Sequence, residues 1–224
     1  MKNLYGESVC IIAPHPDDEV LGLGGSISKM VNSRIKVNLL VVSGHLPPLY
    51  PESSFETTKE ECMKSAKVLG INNVEFAKIP ATYIHNEPIS KLNNIIQNFI
   101  FKHYPHSVFI PFPDRHIDHK LIFEACMVCT RPTGKFWPKL VLSYETLSET
   151  DWNAPYLEPF FIPEWFIDIE DFIDNKVKAL NCYKSQIKNN LSRSEEAVKA
   201  LSRYRGSQNG YTYAEGFKLI RNLS

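Results

Sequence analysis

Two short stretches of the chain carry the side-chain types that bind metals and move protons. The first, "APHPDDE", holds His15, Asp17, Asp18 and Glu19; the second, "PDRHIDH", holds His116, Asp118 and His119. Adjacent carboxylates beside a core element are costly unless a cation or a proton holds them. His15 and Asp18 lie three apart, and a neutral imidazole and a carboxylate both suit Zn²⁺. A histidine of the second stretch makes a third ligand. Three protein ligands with one open position is the arrangement of a catalytic zinc site, whereas structural sites close with four ligands. An acid and a histidine are then left over. A carboxylate beside the metal can take the proton of a water whose pKa the metal lowers to about 7, and a histidine can stabilise the developing oxyanion. The residue types permit this division of labour without assigning it.

The elements that must position these groups alternate between strand and helix. "SVCIIAP" reads as a buried strand, followed by a helical period at Val20, Leu23, Ile27 and Met30. Further strands are expected at 36–44, 74–80, 107–113 and 139–146, with helices at 90–103 and 117–130. "PPLYPESS" reads as loop, after which Thr57 and Glu60 match a capping box opening a helix that ends at Gly70. Apolar strands separated by amphipathic helices imply an α/β fold, a mostly parallel sheet with helices on both faces. Such sheets place their sites outside the carboxyl ends of the strands. Both chemical stretches follow strands, so both fall on one edge. Beyond residue 146 the pattern changes. A proline- and aromatic-rich loop precedes a short strand near "FFIPEWFIDI", helices at 171–188 and 194–205, and a short helix near 213–221. Residues 147–224 are expected to be an extension packed on a core of residues 1–146, in a single domain.

Lys plus Arg and Asp plus Glu number 25 each, so the chain of 224 residues has no net charge to favour nucleic acid or an anionic membrane. No apolar run reaches the roughly 20 residues of a membrane span, and the N-terminus has no cleavable signal pattern; the expectation is a cytoplasmic protein without a membrane span. The five cysteines, Cys126 and Cys129 of a C-x-x-C among them, read as reduced core residues.

The paired "PHPDDE" and "HIDH" motifs closely resemble the two signatures of the LmbE-like/PIG-L deacetylases, and "ECMKSAKVLG", "ALNCYKSQI" and "YRGSQNGYTYAEGF" extend the likeness along most of the chain. The resemblance implies a Rossmann-like fold and zinc-dependent removal of an N-acetyl group from N-acetylglucosamine or a conjugate of it. It implies that His15, Asp18 and His119 ligate one zinc, that Asp17 is the general base, and that His116 is the general acid or oxyanion donor. Asp118 would orient a histidine and Glu19 would bond to backbone near the turn. The family usually carries a substrate-gripping arginine where this chain has Thr58, followed by Lys59. A lysine cannot copy a bidentate guanidinium, so the grip would fall to other groups, Arg115 among them. The expected partner is a small amino-sugar substrate, free or linked to a nucleotide, a lipid or a thiol-pathway carrier; a homo-oligomer is compatible with the sequence.

Simpler readings exist for each piece. The acids at 17–19 could serve the helix dipole, but this explains neither His15 nor the downstream histidines. His45, His85, His103 and His106 lack such company and read as structural or solvated. "GLGG" (22–25) lacks the G-x-G-x-x-G spacing and reads as close helix–sheet packing. Trp152, Tyr156, Phe160, Phe161, Trp165 and Phe166 could stack on a sugar, though loop packing explains them more simply. Rival functions are a two-metal phosphoesterase, a non-catalytic sugar-binding relative, and an amidase acting on a thiol conjugate by the same chemistry. The same nitrogen and oxygen ligands would also accept other divalent metals.

Overall fold

The structure, a computed structural model, describes residues 1–154, 156–188 and 190–223. Seven strands form one sheet in the order β3-β2-β1-β4-β5-β7-β6. They are β1 (Ser8–Ala13), β2 (Lys36–Gly44), β3 (Asn73–Pro80), β4 (Ser107–Pro111), β5 (Leu140–Tyr144), β6 (Trp165–Asp168) and β7 (Ala214–Asn222). The first five are parallel, and β7 runs antiparallel to both β5 and β6. The helices are α1 (Lys2–Tyr5), α2 (Asp18–Asn32), α3 (Glu52–Leu69), α4 (Ile89–His103), α5 (Ile117–Cys129), α6 (Ile173–Leu180), α7 (Lys184–Ile187) and α8 (Glu195–Ser207).

Strand β1 shows why the sheet is covered on both sides. Its side chains alternate, so Val9, Ile11 and Ala13 join a core under α2, α3, α6 and α8, while Cys10 and Ile12 join a second core under α4 and α5. Every residue from Val9 to Ala13 is buried, which is why the strand reads as a continuous apolar run rather than an alternating one. Gly22 lets α2 approach the sheet: a Cβ there would lie 2.4 Å from the Tyr144 ring on β5. Cys10, Cys62, Cys126 and Cys129 are buried thiols, and all five cysteines are free.

Four expectations need correction. Residues 214–222 form strand β7, not a helix. Pairing with β5 and β6 decides the conformation, and a buried Glu215 inside the strand hides its apolar signal. Helix α3 begins at Glu52, six residues before Thr58, so Thr57 is no cap; its hydroxyl bonds the Ser53 carbonyl at 3.1 Å. The expected helix over 171–188 breaks around Asn181–Tyr183 into α6 and α7. The region beyond residue 146 is more than a covering layer, because it supplies two of the seven strands.

Helix α2 is itself interrupted at Leu23, whose φ and ψ of −146° and 25° are not helical. The exposed helix ends are satisfied from β7 and α6. Glu215 accepts from the backbone N–H groups of Gly25 (3.0 Å) and Ser26 (2.7 Å), and Lys176 donates to the Leu21 carbonyl (2.9 Å) and to Glu215 (2.6 Å). This ion pair is 2–3 % exposed.

Candidate active site

The strand order reverses between β1 and β4, where β1 leads outward to β2 and β3 and β4 leads to β5. A crevice forms beyond the carboxyl ends of the strands at such a switch point. The loop after β1 delivers His15 to Glu19 into it, and the loop after β4 delivers Asp114 to His119. Asp17 sits at the start of α2 with φ of 107°, a left-handed conformation that a residue with a side chain adopts only under strain. That turn aims Asp17 and Asp18 differently although they are neighbours.

One oxygen forms the centre of the cluster. Asp18 Oδ2 lies 3.3 Å from His15 Nδ1 and 3.4 Å from His119 Nε2. Ligands held about 2.0–2.1 Å from a tetrahedral zinc are separated by about 3.3–3.4 Å. His119 is fully buried, and its Nε2 has no hydrogen-bond partner, which is the state expected of a ligand nitrogen. His116 also falls within the cluster: one nitrogen from each of His15, His116 and His119 lies within 4.8 Å of the others. Its Nδ1, however, accepts from the Asp118 backbone N–H at 3.1 Å, so Nε2 is the atom that carries its proton. The donor set fits a divalent cation, with Asp18 the nearer partner of the two shared histidines.

Both histidines are braced from behind, as metal-binding histidines generally are. Asp118 Oδ2 accepts from His15 Nε2 at 2.9 Å and is fixed by the Thr82 N–H at 2.8 Å. The Asp118 side chain thus orients His15, and only its backbone touches His116. Asp114 Oδ2 meets His119 Nδ1 at 3.0 Å, while its Oδ1 accepts from the His116 N–H. Burial alone would lower both imidazole pKa values, yet the carboxylates push His15 up to about 9 and His119 up to about 10. A setting that draws protons this strongly also favours a cation. Glu19 faces away from the crevice. It accepts from the Asp17 N–H at 3.1 Å and from the Tyr183 hydroxyl at 2.5 Å, and burial pushes its carboxyl up to about 8.

The open side presents Asp17, His116 and Arg193. The Arg193 guanidinium donates to Asp17 at 2.6 Å and to the Ser148 hydroxyl at 2.7 Å, and lies 3.7 Å from Glu149. Burial raises the Asp17 pKa to about 7 despite the opposing charge of Arg193. Burial, and then the charges of His15 and His119, lower His116 to about 4. A cavity of about 190 Å³ opens in front of these groups, lined also by His45, Tyr50 and Gln186. Those three residues also line a second cavity of about 380 Å³ beside Ser53, Ser54, Thr57 and Thr58.

The expected substrate contacts scatter. Thr58 is buried, and its hydroxyl is spent on the Ser54 and Phe55 carbonyls. Lys59 pairs with Glu56 at 3.3 Å and lines neither cavity. Arg115 pairs with Glu149 at 3.0 Å and is 46 % exposed. His45, read as structural, lies at the site. It follows β2 as His15 follows β1, so the strand-end rule could have found it. Asp114 was within reach too, at the end of β4 and five residues before His119. The pairing of Arg193 with Asp17 was not, since 176 residues separate the two. Of the aromatics between residues 152 and 166, Phe161 packs on Phe112 and Trp165 bonds the Tyr5 hydroxyl, whereas Trp152, Tyr156 and Phe160 are exposed.

Comparison with known proteins gives this geometry a lineage. Residues 10–130, from β1 through α5 and so across both motifs, match the family model described as "PIG-L: GlcNAc-PI de-N-acetylase". The chain belongs to the PIG-L family. A curated relative, diacetylchitobiose deacetylase of Thermococcus kodakarensis, is 27% identical over 97% of this chain and 84% of its own length. Among solved structures, N,N'-diacetylchitobiose deacetylase from Pyrococcus horikoshii superposes with a TM-score of 0.77 at 21% identity, covering 96% of this chain and 84% of that one. A 4-carboxy-2-hydroxymuconate hydratase from Pseudomonas putida gives the same TM-score of 0.77 at 19% identity, covering 97% and 98%. The PIG-L architecture is therefore shared by enzymes of two reaction types, and the choice between them rests on the site. No helix among the described residues is long and apolar enough to cross a membrane.

Proposed function

We propose that this protein is a metal-dependent N-deacetylase that hydrolyses the acetamido group of an amino sugar or its conjugate, releasing acetate and a free amine. The observation that carries the reading is the Asp18 oxygen set 3.3 and 3.4 Å from two histidine nitrogens, with Asp17 and His116 on the open side. His15 Nδ1, Asp18 Oδ2 and His119 Nε2 would hold the ion, and we assign it as zinc from the mixed nitrogen and oxygen donors. When bound, zinc polarises the acetamido carbonyl and acidifies a water beside it.

The remaining work falls to the chain. Asp17, with a pKa raised to about 7, is matched to accept the proton of the attacking water near neutral pH. Arg193 fixes its carboxylate in place. His116 is neutral and protonated on Nε2, so it donates a hydrogen bond to the carbonyl oxygen as charge develops there. The proton taken up by Asp17 passes to the leaving nitrogen as the C–N bond breaks. Water has then supplied the hydroxyl of acetate and one proton of the amine.

The test is amine release from N-acetylglucosamine and its conjugates, with metal content read on the same preparation. Asp17→Asn should lose about 10²–10⁴ in kcat while retaining its metal. Unchanged turnover in Asp17→Asn, or water addition to a carbon–carbon double bond in place of amine release, would overturn the assignment.

A further inference from the structure

Asp17, the base of the proposed reaction, is aimed by its backbone as much as by its side chain. Its φ of 107° and ψ of −23° lie in the left-handed region, where a residue with a Cβ stays only if its surroundings hold it. Helix α2 holds one side: the Asp17 carbonyl accepts from the N–H groups of Val20 (3.0 Å) and Leu21 (2.9 Å). The other side is held by a side chain, since the Asp17 N–H donates to Glu19 Oε2 at 3.1 Å.

Glu19 must in turn be held. It is fully buried, and among the described residues no Lys, Arg or His pairs with it. A buried carboxyl without a cation has to be satisfied by hydrogen bonds. Its Oε1 takes two, a short one from the Tyr183 hydroxyl at 2.5 Å and a long one from the Ser65 hydroxyl at 3.5 Å. Tyr183 comes from 164 residues further along the chain, in the break between α6 and α7. It too is fully buried, and its backbone is fixed: its N–H donates to the Leu180 carbonyl (2.9 Å), and its carbonyl accepts from the Gln186 N–H (3.0 Å). A rigid ring anchored in this way brings its hydroxyl to one place. Arg193 thus grips the Asp17 carboxylate from the cavity side, while Tyr183 and Glu19 grip its backbone from the core side.

We infer that Tyr183 is a positioning residue for the base: acting through Glu19, it holds the Asp17 backbone in the left-handed turn that presents the carboxylate to the crevice. This rests on the reading of Asp17 as the base of a deacetylase and deepens it. The segment beyond residue 146 then takes part in the chemistry from behind the crevice as well as from its open side.

The experiment uses the zinc-loaded protein with N-acetylglucosamine and N,N'-diacetylchitobiose as probes. Tyr183→Phe removes one hydroxyl and keeps the ring. It should lower kcat by at least about tenfold, since a misplacement of about 1 Å costs on the order of 10²-fold, with KM and zinc content as in the native protein. Placed on Asp17→Asn, the same substitution should cost nothing further, because residues that act as a unit are not additive. A native kcat in Tyr183→Phe, a loss carried by KM or by zinc, or an equal loss on both backgrounds overturns the inference and leaves the deacetylase reading intact. No amine from the native protein with either probe overturns the deacetylase reading instead. Hydrogen exchange read by NMR then decides the brace alone. The Asp17 amide should exchange faster in Tyr183→Phe while the amides of β1 keep their native rates. An unchanged rate at Asp17, or a rise shared equally by β1, overturns it.

Discussion

Two regions of this molecule bury charge, and they do so in opposite ways. At the break in α2, Lys176 and Glu215 are 2–3 % exposed and face each other at 2.6 Å, with spare lone pairs and protons taken by the N–H groups of Gly25 and Ser26 and the Leu21 carbonyl. In the crevice, Asp17, Asp18, Asp114, Asp118 and His119 are as deeply buried, yet His119 Nε2 and Asp118 Oδ1 lack partners. Saturation marks the first cluster as structural. An unpartnered His119 nitrogen 3.4 Å from the Asp18 oxygen, behind a cavity lined by His15, Asp17 and His116, marks the second as a place for a ligand. Burial and charge alone would not have separated them.

That contrast can be broken by substitution. Asp18→Ala should abolish metal retention and activity, a loss beyond the roughly 100-fold typical of residues that only brace a ligand, and should also lower the unfolding temperature of the metal-free protein, because the His15 N–H and the His15 and His119 rings lose their buried acceptor. Metal analysis and calorimetry check both halves. Lys176→Met should spare the metal, costing about 3–5 kcal/mol of stability in denaturant unfolding with metal content preserved. If Lys176→Met instead lost metal at full stability, the division between the two regions would be wrong.

A smaller effect sharpens the comparison inside the crevice. Asp114→Asn keeps the shape beside His119 but removes the negative charge, and should weaken metal binding by about 10–100-fold in a competition titration. The smallest effect lies at the surface. Burial alone would raise the Glu75 carboxyl, but hydrogen bonds from His103 and Lys102 outweigh it and hold the group below its usual 4.5. A carboxyl depressed in the folded state adds stability above its unfolded value and loses it as pH falls through its folded one. Glu75→Gln should therefore cost less than about 1 kcal/mol at neutral pH, and the difference from the native protein should shrink as pH drops below 4.5.

The same contrast explains what the sequence disclosed. Strands β1, β2, β4 and β5 are legible because parallel strands covered on both faces become unbroken apolar runs, as Val9 to Ala13 do. His15, Asp18 and His119 are legible because strand ends fix them and their mutual spacing is short. Strand β7 is not, since its identity depends on partners at 140–144 and 165–168 and its second residue is a buried acid. The Arg193–Asp17 and Lys176–Glu215 pairs are invisible for the same reason: each acts across more than a hundred residues or through a residue type that ordinarily marks the surface. The fold's kinship with both a deacetylase and a hydratase shows the matching limit on the structural side. A shared sheet positions a crevice but does not choose the reaction.

The broken helix also sets a timetable. Gly25 and Ser26, just beyond the acids of the crevice, receive their acceptor from a residue 189–190 positions later. At roughly 5–20 residues per second of synthesis, that interval is on the order of ten to forty seconds. During it the first motif exists on the ribosome with its helix unanchored and its carboxylates crowded together. The first residues of the candidate site to be made thus wait for one of the last segments of the chain, and a chain released before its final strand would carry the motif without the anchor of its helix.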